Sequence, residues 1–135
     1  MFLLDTNVIS ELRWPRPHGA VLAWIEPIAS SSLFLSAVSV GEFQMGIEAP
    51  RAQDSGKAAE IERWLEGVVL TFQVLDLDAA GFRLWARLMQ ATTEDHAHDA
   101  MIAATAITRN LILVTRNVRD FKPFGVAVVN PFVAK

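Results

Sequence analysis

The sequence has 135 residues, a length that sets the expectation of one domain, residues 1–135, with a sizeable core. Hydrophobic residues make up 52% of it and charged residues 20%, which excludes a disordered chain. With no cysteine it can form neither a disulfide nor a thiolate zinc site, and a net charge of −3 argues against holding nucleic acid by overall positive charge.

The start, "MFLLDTNVIS", lacks a basic leader, and Asp5 interrupts its apolar run, so it does not read as a signal peptide. "FLL" reads as a short buried strand and "NVISELR" as a helix that ends at the prolines of "WPRPHG". "AVLAWIE" is a short helix stopped by Pro27. "SSLFLSA" is a second strand, followed by the helical "VSVGEFQMGIE" and the polar loop "APRAQDSG". Ala58, Ile61, Leu65 and Val68 keep helical spacing, as do Phe82, Trp85, Ala86 and Met89. "HDAMIAATAITRN" is a helix apolar nearly all round, rich in small alanines that allow close packing on a sheet. "LILVT" and "VAVVN" are continuous apolar strands, the pattern of a parallel sheet covered on both faces. Strands alternating with helices predict a single three-layer α/β/α domain with a central parallel sheet. No apolar stretch approaches the roughly 20 residues of a membrane span, so no membrane role is expected, and the absence of cysteine makes a reducing cytoplasm the expected compartment.

The chemistry lies in the acids. Asp5 follows the first strand; Asn117 and Asp120 follow "LILVT"; Glu42 lies in the first turns of the helix entered from "SSLFLSA"; Asp99 lies near the start of the alanine-rich helix. All can reach the carboxyl ends of the strands, where open parallel sheets bind ligands. Each has a plain alternative. Asp5 can be an Asx-turn or helix cap, Ser39 and Glu42 a capping box, and Asp120 a turn acid. Together they are harder to explain without a cation. Two carboxylates ~4 Å apart repel by about 4 kcal/mol at an effective dielectric near 20. Oxygen-only donors point to Mg²⁺ or Mn²⁺ and to metal-assisted hydrolysis of a phosphodiester. A phosphoacceptor or aspartyl phosphatase also gathers acids and Mg²⁺ at strand ends, but needs a nearby lysine. Lys57, Lys122 and Lys135, the only lysines, are placed away from the strand tips. Nucleic acid would have to be gripped locally, by Arg13, Arg16, Arg116 and Arg119, which neighbour the groove in sequence. His96 and His98 read as surface or packing residues, because "HAH" spacing on a helix turns the rings to different faces. Trp14, Trp24, Trp64 and Trp85 read as core or interface, more apolar surface than one small core hides, and so predict a homodimer.

"LLDTNVISEL", "SAVSVGEFQMGI", "DAMIAATAITRNLILVTRNVRDF" and "VVNPF", in this order, resemble a PIN domain, and within that group a VapC-type toxin of bacterial toxin–antitoxin pairs, in the FitB-like branch. The resemblance is weakest between residues 50 and 90. It implies that Asp5, Glu42 and Asp99 are the three principal metal-binding acids, with Asn117 in the place of a fourth acid. It makes Thr6 and Thr115 donors behind them. The turn "RNVRDF" can aim at most one of Asn117 and Asp120 at the Asp5 side of the groove, so Asp120 is expected to be an outer-shell or turn residue, paired with an arginine of its own loop. The implied activity is a Mg²⁺- or Mn²⁺-dependent endoribonuclease that cleaves structured RNA, tRNA or rRNA. The implied assembly is a homodimer, forming a heterotetramer or larger with a cognate antitoxin. A catalytically silent partner and co-repressor of a DNA-binding antitoxin is the non-enzymatic alternative, against which the intact set of three acids argues. The chain departs from the pattern in having an amide at Asn117, which adds no charge for a second ion, and in the charged "TEDHAH" before Asp99.

Overall fold

The computed structural model describes residues 1–133. Five parallel strands form one sheet in the order β3-β2-β1-β4-β5: β1 (Phe2–Leu4), β2 (Leu33–Ser36), β3 (Gln73–Leu75), β4 (Ile112–Val114) and β5 (Val128–Val129). The helices between them are α1 (Thr6–Glu11), α2 (Gly19–Ile25), α3 (Ala37–Glu48), α4 (Ser55–Thr71), α5 (Ala79–Leu88), α6 (Ala97–Thr108) and α7 (Val118–Phe121).

Side chains alternate across the strands, and both faces are apolar. Leu3, Phe34 and Leu113 point to one face, where they pack with Ala100, Ile102, Ala103 and Ala106 of α6, Trp85 of α5 and Phe121 of α7. Leu4, Leu35 and Val114 point to the other and pack with Val8 and Ile9 of α1, Val21 and Trp24 of α2, Phe43 of α3 and Trp64 of α4. Helices on both faces make the three layers. Ala100, Ala103, Ala104 and Ala106 of α6 are fully buried, so its backbone lies close to the sheet.

Two strands differ from the sequence reading. β3 is a fifth strand within "FQVL", three residues between two helices, too short for any periodicity to declare it. "VAVVN" supplies only a two-residue strand, half-buried at the sheet edge rather than covered on both faces.

Strand register aligns the polar residues at the strand ends. Leu4 pairs with Leu35 on one side and Val114 on the other. The next residues, Asp5, Ser36 and Thr115, therefore stand in one row along the carboxyl edge of the three central strands. All three are buried polar groups.

Candidate metal centre

Asp5 leaves β1 still tied to the sheet, its N–H donating to the Val114 carbonyl at 2.9 Å. It is also the N-cap of α1, with Oδ1 accepting from the Thr6 N–H at 2.8 Å. Asp5 is thus a cap and a cleft acid at once, not one to the exclusion of the other. Its Oδ2 accepts from Thr115 Oγ1 at 2.8 Å and from Asn7 Nδ2 at 3.1 Å. The Thr115 hydroxyl has its own acceptor capacity filled, by the Asn117 N–H at 3.0 Å and Asn7 Nδ2 at 3.4 Å. Asn7 Oδ1 accepts from the Arg116 N–H at 3.1 Å. Asn7 thereby clasps the start of α1 to the loop after β4; in the sequence nothing but its place beside Asp5 signals this role.

Glu42 is brought in by α3. The helix is capped by Ser36, whose Oγ accepts from the Val38 N–H at 3.1 Å. The capping box expected of Ser39 and Glu42 is absent, because Ser39 already lies inside the helix. Ser39 Oγ instead lies 2.9 Å from Thr6 Oγ1, which lies 2.8 Å from Glu42 Oε1. One hydroxyl has one proton, so Thr6 donates to the carboxylate and Ser39 donates to Thr6. Asp99 sits in the first turn of α6, where the helix dipole favours a negative charge.

Asp5, Glu42, Asp99 and Asn117, with Thr6, Asn7 and Ser10, line one cleft of about 260 Å³. Asp5 is only 4% exposed. Burial is the main cause that raises its carboxyl from 3.8 to about 6; the Thr115 and Thr6 hydrogen bonds lower it, and the Asp99 and Glu42 charges raise it again. A buried carboxyl facing two more is a poor anion until a cation compensates it. The donors are oxygens, with no cysteine anywhere in the chain, and they fit a hard divalent ion.

Asp120 differs from expectation. Among the described residues it makes no ion pair with Arg116 or Arg119. Its carboxylate instead joins His96 and Asp99 in the one group of three potential ligands, among the described residues, whose atoms all lie within 4.8 Å of one another. Asp5 and Glu42 share the cleft with Asp99 without closing to that distance. Asp99 belongs to both arrangements: it lines the cleft with Asp5 and Glu42, and it lies beside His96 and Asp120, which are not among the cleft-lining residues. The histidines also differ from expectation. His96 ends a 3-10 turn, Glu94–His96, and caps α6 rather than lying in it, so the angular spacing of a helix does not apply. Its Nδ1 lies 3.2 Å from Asp99 Oδ2, and His98 Nδ1 lies 3.5 Å from Glu42 Oε2.

The arginines scatter. Arg13 stacks on Trp14 at 4.5 Å and lines a different cavity, with Pro15, Lys57 and Trp64. Arg116 stacks on Phe132 at 4.5 Å beside the cleft loop. Arg16 and Arg119 make no ion pair among the described residues. Lys57 and Lys122 are not among the residues lining the cleft, and Lys135 lies outside the described residues. The phosphoacceptor alternative therefore gains no support.

A family profile described as PIN domain matches residues 2–125. VapC ribonuclease Y4jK of Sinorhizobium fredii is 40% identical, over 98% of both chains. The crystal structure of FitAcB from Neisseria gonorrhoeae superposes with a TM-score of 0.82 at 32% identity, over 98% of this chain and 99% of that one. A toxin–antitoxin complex from Klebsiella pneumoniae superposes with a TM-score of 0.73 at 25% identity, over 97% and 98%.

Proposed function

The chain belongs to the PIN domain family, and from that premise we propose that it is a metal-dependent endoribonuclease, the toxin of a toxin–antitoxin pair. The observation that carries this is the meeting of Asp5 from β1, Glu42 from α3 and Asp99 from α6 in one cleft at the carboxyl edge of the sheet. Ribonuclease activity in a relative of the same length, and assembly of a similar chain with an antitoxin, support it.

Asp5, Glu42 and Asp99 would hold Mg²⁺ or Mn²⁺. Such an ion acidifies water and offsets the charge that builds on the phosphate as the phosphodiester is hydrolysed. The chain's own contribution is orientation. Thr115, Asn7 and the Thr6 N–H fix both oxygens of Asp5, and the Thr6 hydroxyl fixes Glu42 Oε1. Asp99 Oδ1 has no protein donor among the described residues, which leaves it able to take a proton from the attacking water or to ligate. Asn117 at the rim offers a neutral amide that can bind water or phosphate oxygen without adding charge. The substrate is structured RNA, tRNA or rRNA, and Arg116, between Thr115 and the cleft-lining Asn117, is placed to guide it.

A cognate antitoxin neutralises the activity by filling the same cleft, with a cationic side chain on the acids. The toxin itself is a homodimer. Sequencing of RNA 5′ ends after induced expression tests the function: new ends at defined sites are expected with the wild type and none with Asp5→Asn. Identical end profiles for the two would remove it.

A further inference from the structure

The segment "TEDHAH" supplies none of the three principal acids, yet two of its side chains approach those acids from the N-terminal end of α6. We propose that His96 and His98 are positioning residues that hold Asp99 and Glu42 in the orientation a divalent cation requires. The proposal rests on the metal-dependent reading of the cleft and adds to it the donor that Asp99 otherwise lacks and a second polar neighbour for Glu42.

Asp5 has three donors of its own, and Glu42 Oε1 has the Thr6 hydroxyl. Among the described residues Asp99 has one, His96 Nδ1 at 3.2 Å from Oδ2. An ionised carboxylate can only accept, so the His96 proton must sit on Nδ1. The second oxygen of Glu42, Oε2, has His98 Nδ1 at 3.5 Å. Two acids from different elements, α6 and α3, are thus steadied by one stretch of three residues.

The backbone explains how "HAH" does this. His96 has φ −108° and ψ 20°, outside the helical range, and only His98 lies within α6. The break between the 3-10 turn and α6 lets both rings reach the cleft, which two positions on a continuous helix would not. Both rings remain partly exposed, 39% and 52%, so they are not there to fill the core. A donor behind a metal-binding carboxylate fixes its rotamer before the ion arrives, and loss of such a group lowers metal affinity by about tenfold to a hundredfold.

His96 and Asp120 also lie close enough to Asp99 to suggest direct ligation by the ring, and the experiment separates the two roles. Calorimetric titration of the isolated protein with Mn²⁺ compares the wild type with His96→Ala and His96→Asn. The Asn amide keeps an N–H donor at nearly the same place but is a poor ligand through that nitrogen. His96→Ala is expected to weaken Mn²⁺ binding by about tenfold or more, and His96→Asn to stay within about threefold of the wild type. His98→Ala is expected to weaken it by less, in keeping with the longer contact. Pulsed EPR of the Mn²⁺-loaded wild type should show no directly coordinated nitrogen. Equal affinity in His96→Ala and the wild type, equal loss in the Ala and Asn variants, or a coordinated nitrogen would each overturn the proposal. Failure of the wild type to bind Mn²⁺ at all would remove the metal centre beneath it.

Discussion

At the scale of single residues, Asp5 makes the sharpest prediction. Its carboxyl titrates at 3.8 in the unfolded chain and is pushed up to about 6 in the fold, chiefly by burial. The folded state therefore holds the proton more tightly. The stability this lends is fully present below the unfolded value and is lost as pH rises through the folded one, by about 3 kcal/mol for a shift of some two units. In EDTA, Asp5→Asn should melt above the wild type at pH 8, and the gap should close as pH falls through 6 toward about 4. The gain will be smaller than that figure, because an amide NH₂ in place of Oδ2 can accept from neither Thr115 nor Asn7. Added Mn²⁺ should reverse the order by stabilising only the wild type. A variant less stable than the wild type in EDTA at pH 8 would mean that the lost Thr115 and Asn7 hydrogen bonds outweigh the cost of burying the charge. Asn117 invites a second test: three principal carboxylates balance one divalent ion, so one tight Mn²⁺ is expected, and Asn117→Asp should tighten a second. Two equally tight sites in the wild type would show that Asp120 already supplies the fourth charge. The cleft residues were legible because strand-end acids in a parallel sheet have one place to go. Asn7 and the company Asp120 keeps were not, because side-chain partners far apart in the chain leave no periodic trace; His96 was not, because the break between the Glu94–His96 3-10 turn and α6 does not show in the spacing.

At the scale of elements, two connections away from the cleft contribute to the stability of the fold. Gly125 adopts φ 67° as it turns the chain from the Lys122–Phe124 3-10 turn into β5. A Cβ there would meet nothing within 4 Å, so the cost of a side chain is the left-handed backbone alone. Gly125→Ala should lower unfolding stability by about 1–2 kcal/mol in urea, without altering Mn²⁺ affinity. The loop between α3 and α4 is also less free than its polar sequence implied. Arg51 donates to both Glu48 oxygens at 2.7 Å and to Glu62 at 3.1 Å, and Gln44 donates to both acids. The Arg51 and Gln44 contacts hold the Glu48 carboxyl down at about 2, and its share of stability is lost only as pH falls from the ordinary 4.5 through that value. These groups are exposed, so the effect should be modest and screened by salt. Arg51→Ala should return Glu48 toward 4.5, read by carboxyl NMR titration, while leaving cleavage unchanged. The helices were legible from spacing and proline stops. β3 was not, because a three-residue strand is specified by its partner β2 rather than by its own pattern.

At the scale of the whole molecule, the net charge of −3 argues against RNA binding by overall positive charge, and in the function proposed above a few arginines and the cation take that part. Arg116→Glu should therefore weaken RNA cleavage while leaving Mn²⁺ affinity within about twofold, and cleavage should fall steeply with added salt. The proposed homodimer finds its support in exposed apolar surface other than the tryptophans on which the sequence reading leans. Trp24, Trp64 and Trp85 are half-buried against Phe2, Phe43 and Phe82, and only Trp14 is largely exposed. The most exposed large apolar side chains among the described residues are Leu70 of α4 at 88% and Met45 of α3 at 68%, and Leu70 lines, with Val40 of α3 and Val69, a groove of about 400 Å³. Light scattering should give a dimer for the wild type and a monomer for Leu70→Glu. The most direct test of the central claim is cleavage of purified RNA by the isolated protein in Mn²⁺ or in EDTA, with Asp99→Asn alongside. Site-specific cuts that need the ion and fall at least about a hundredfold in the variant are the predicted result. Undiminished cutting in EDTA, or by Asp99→Asn, would contradict it.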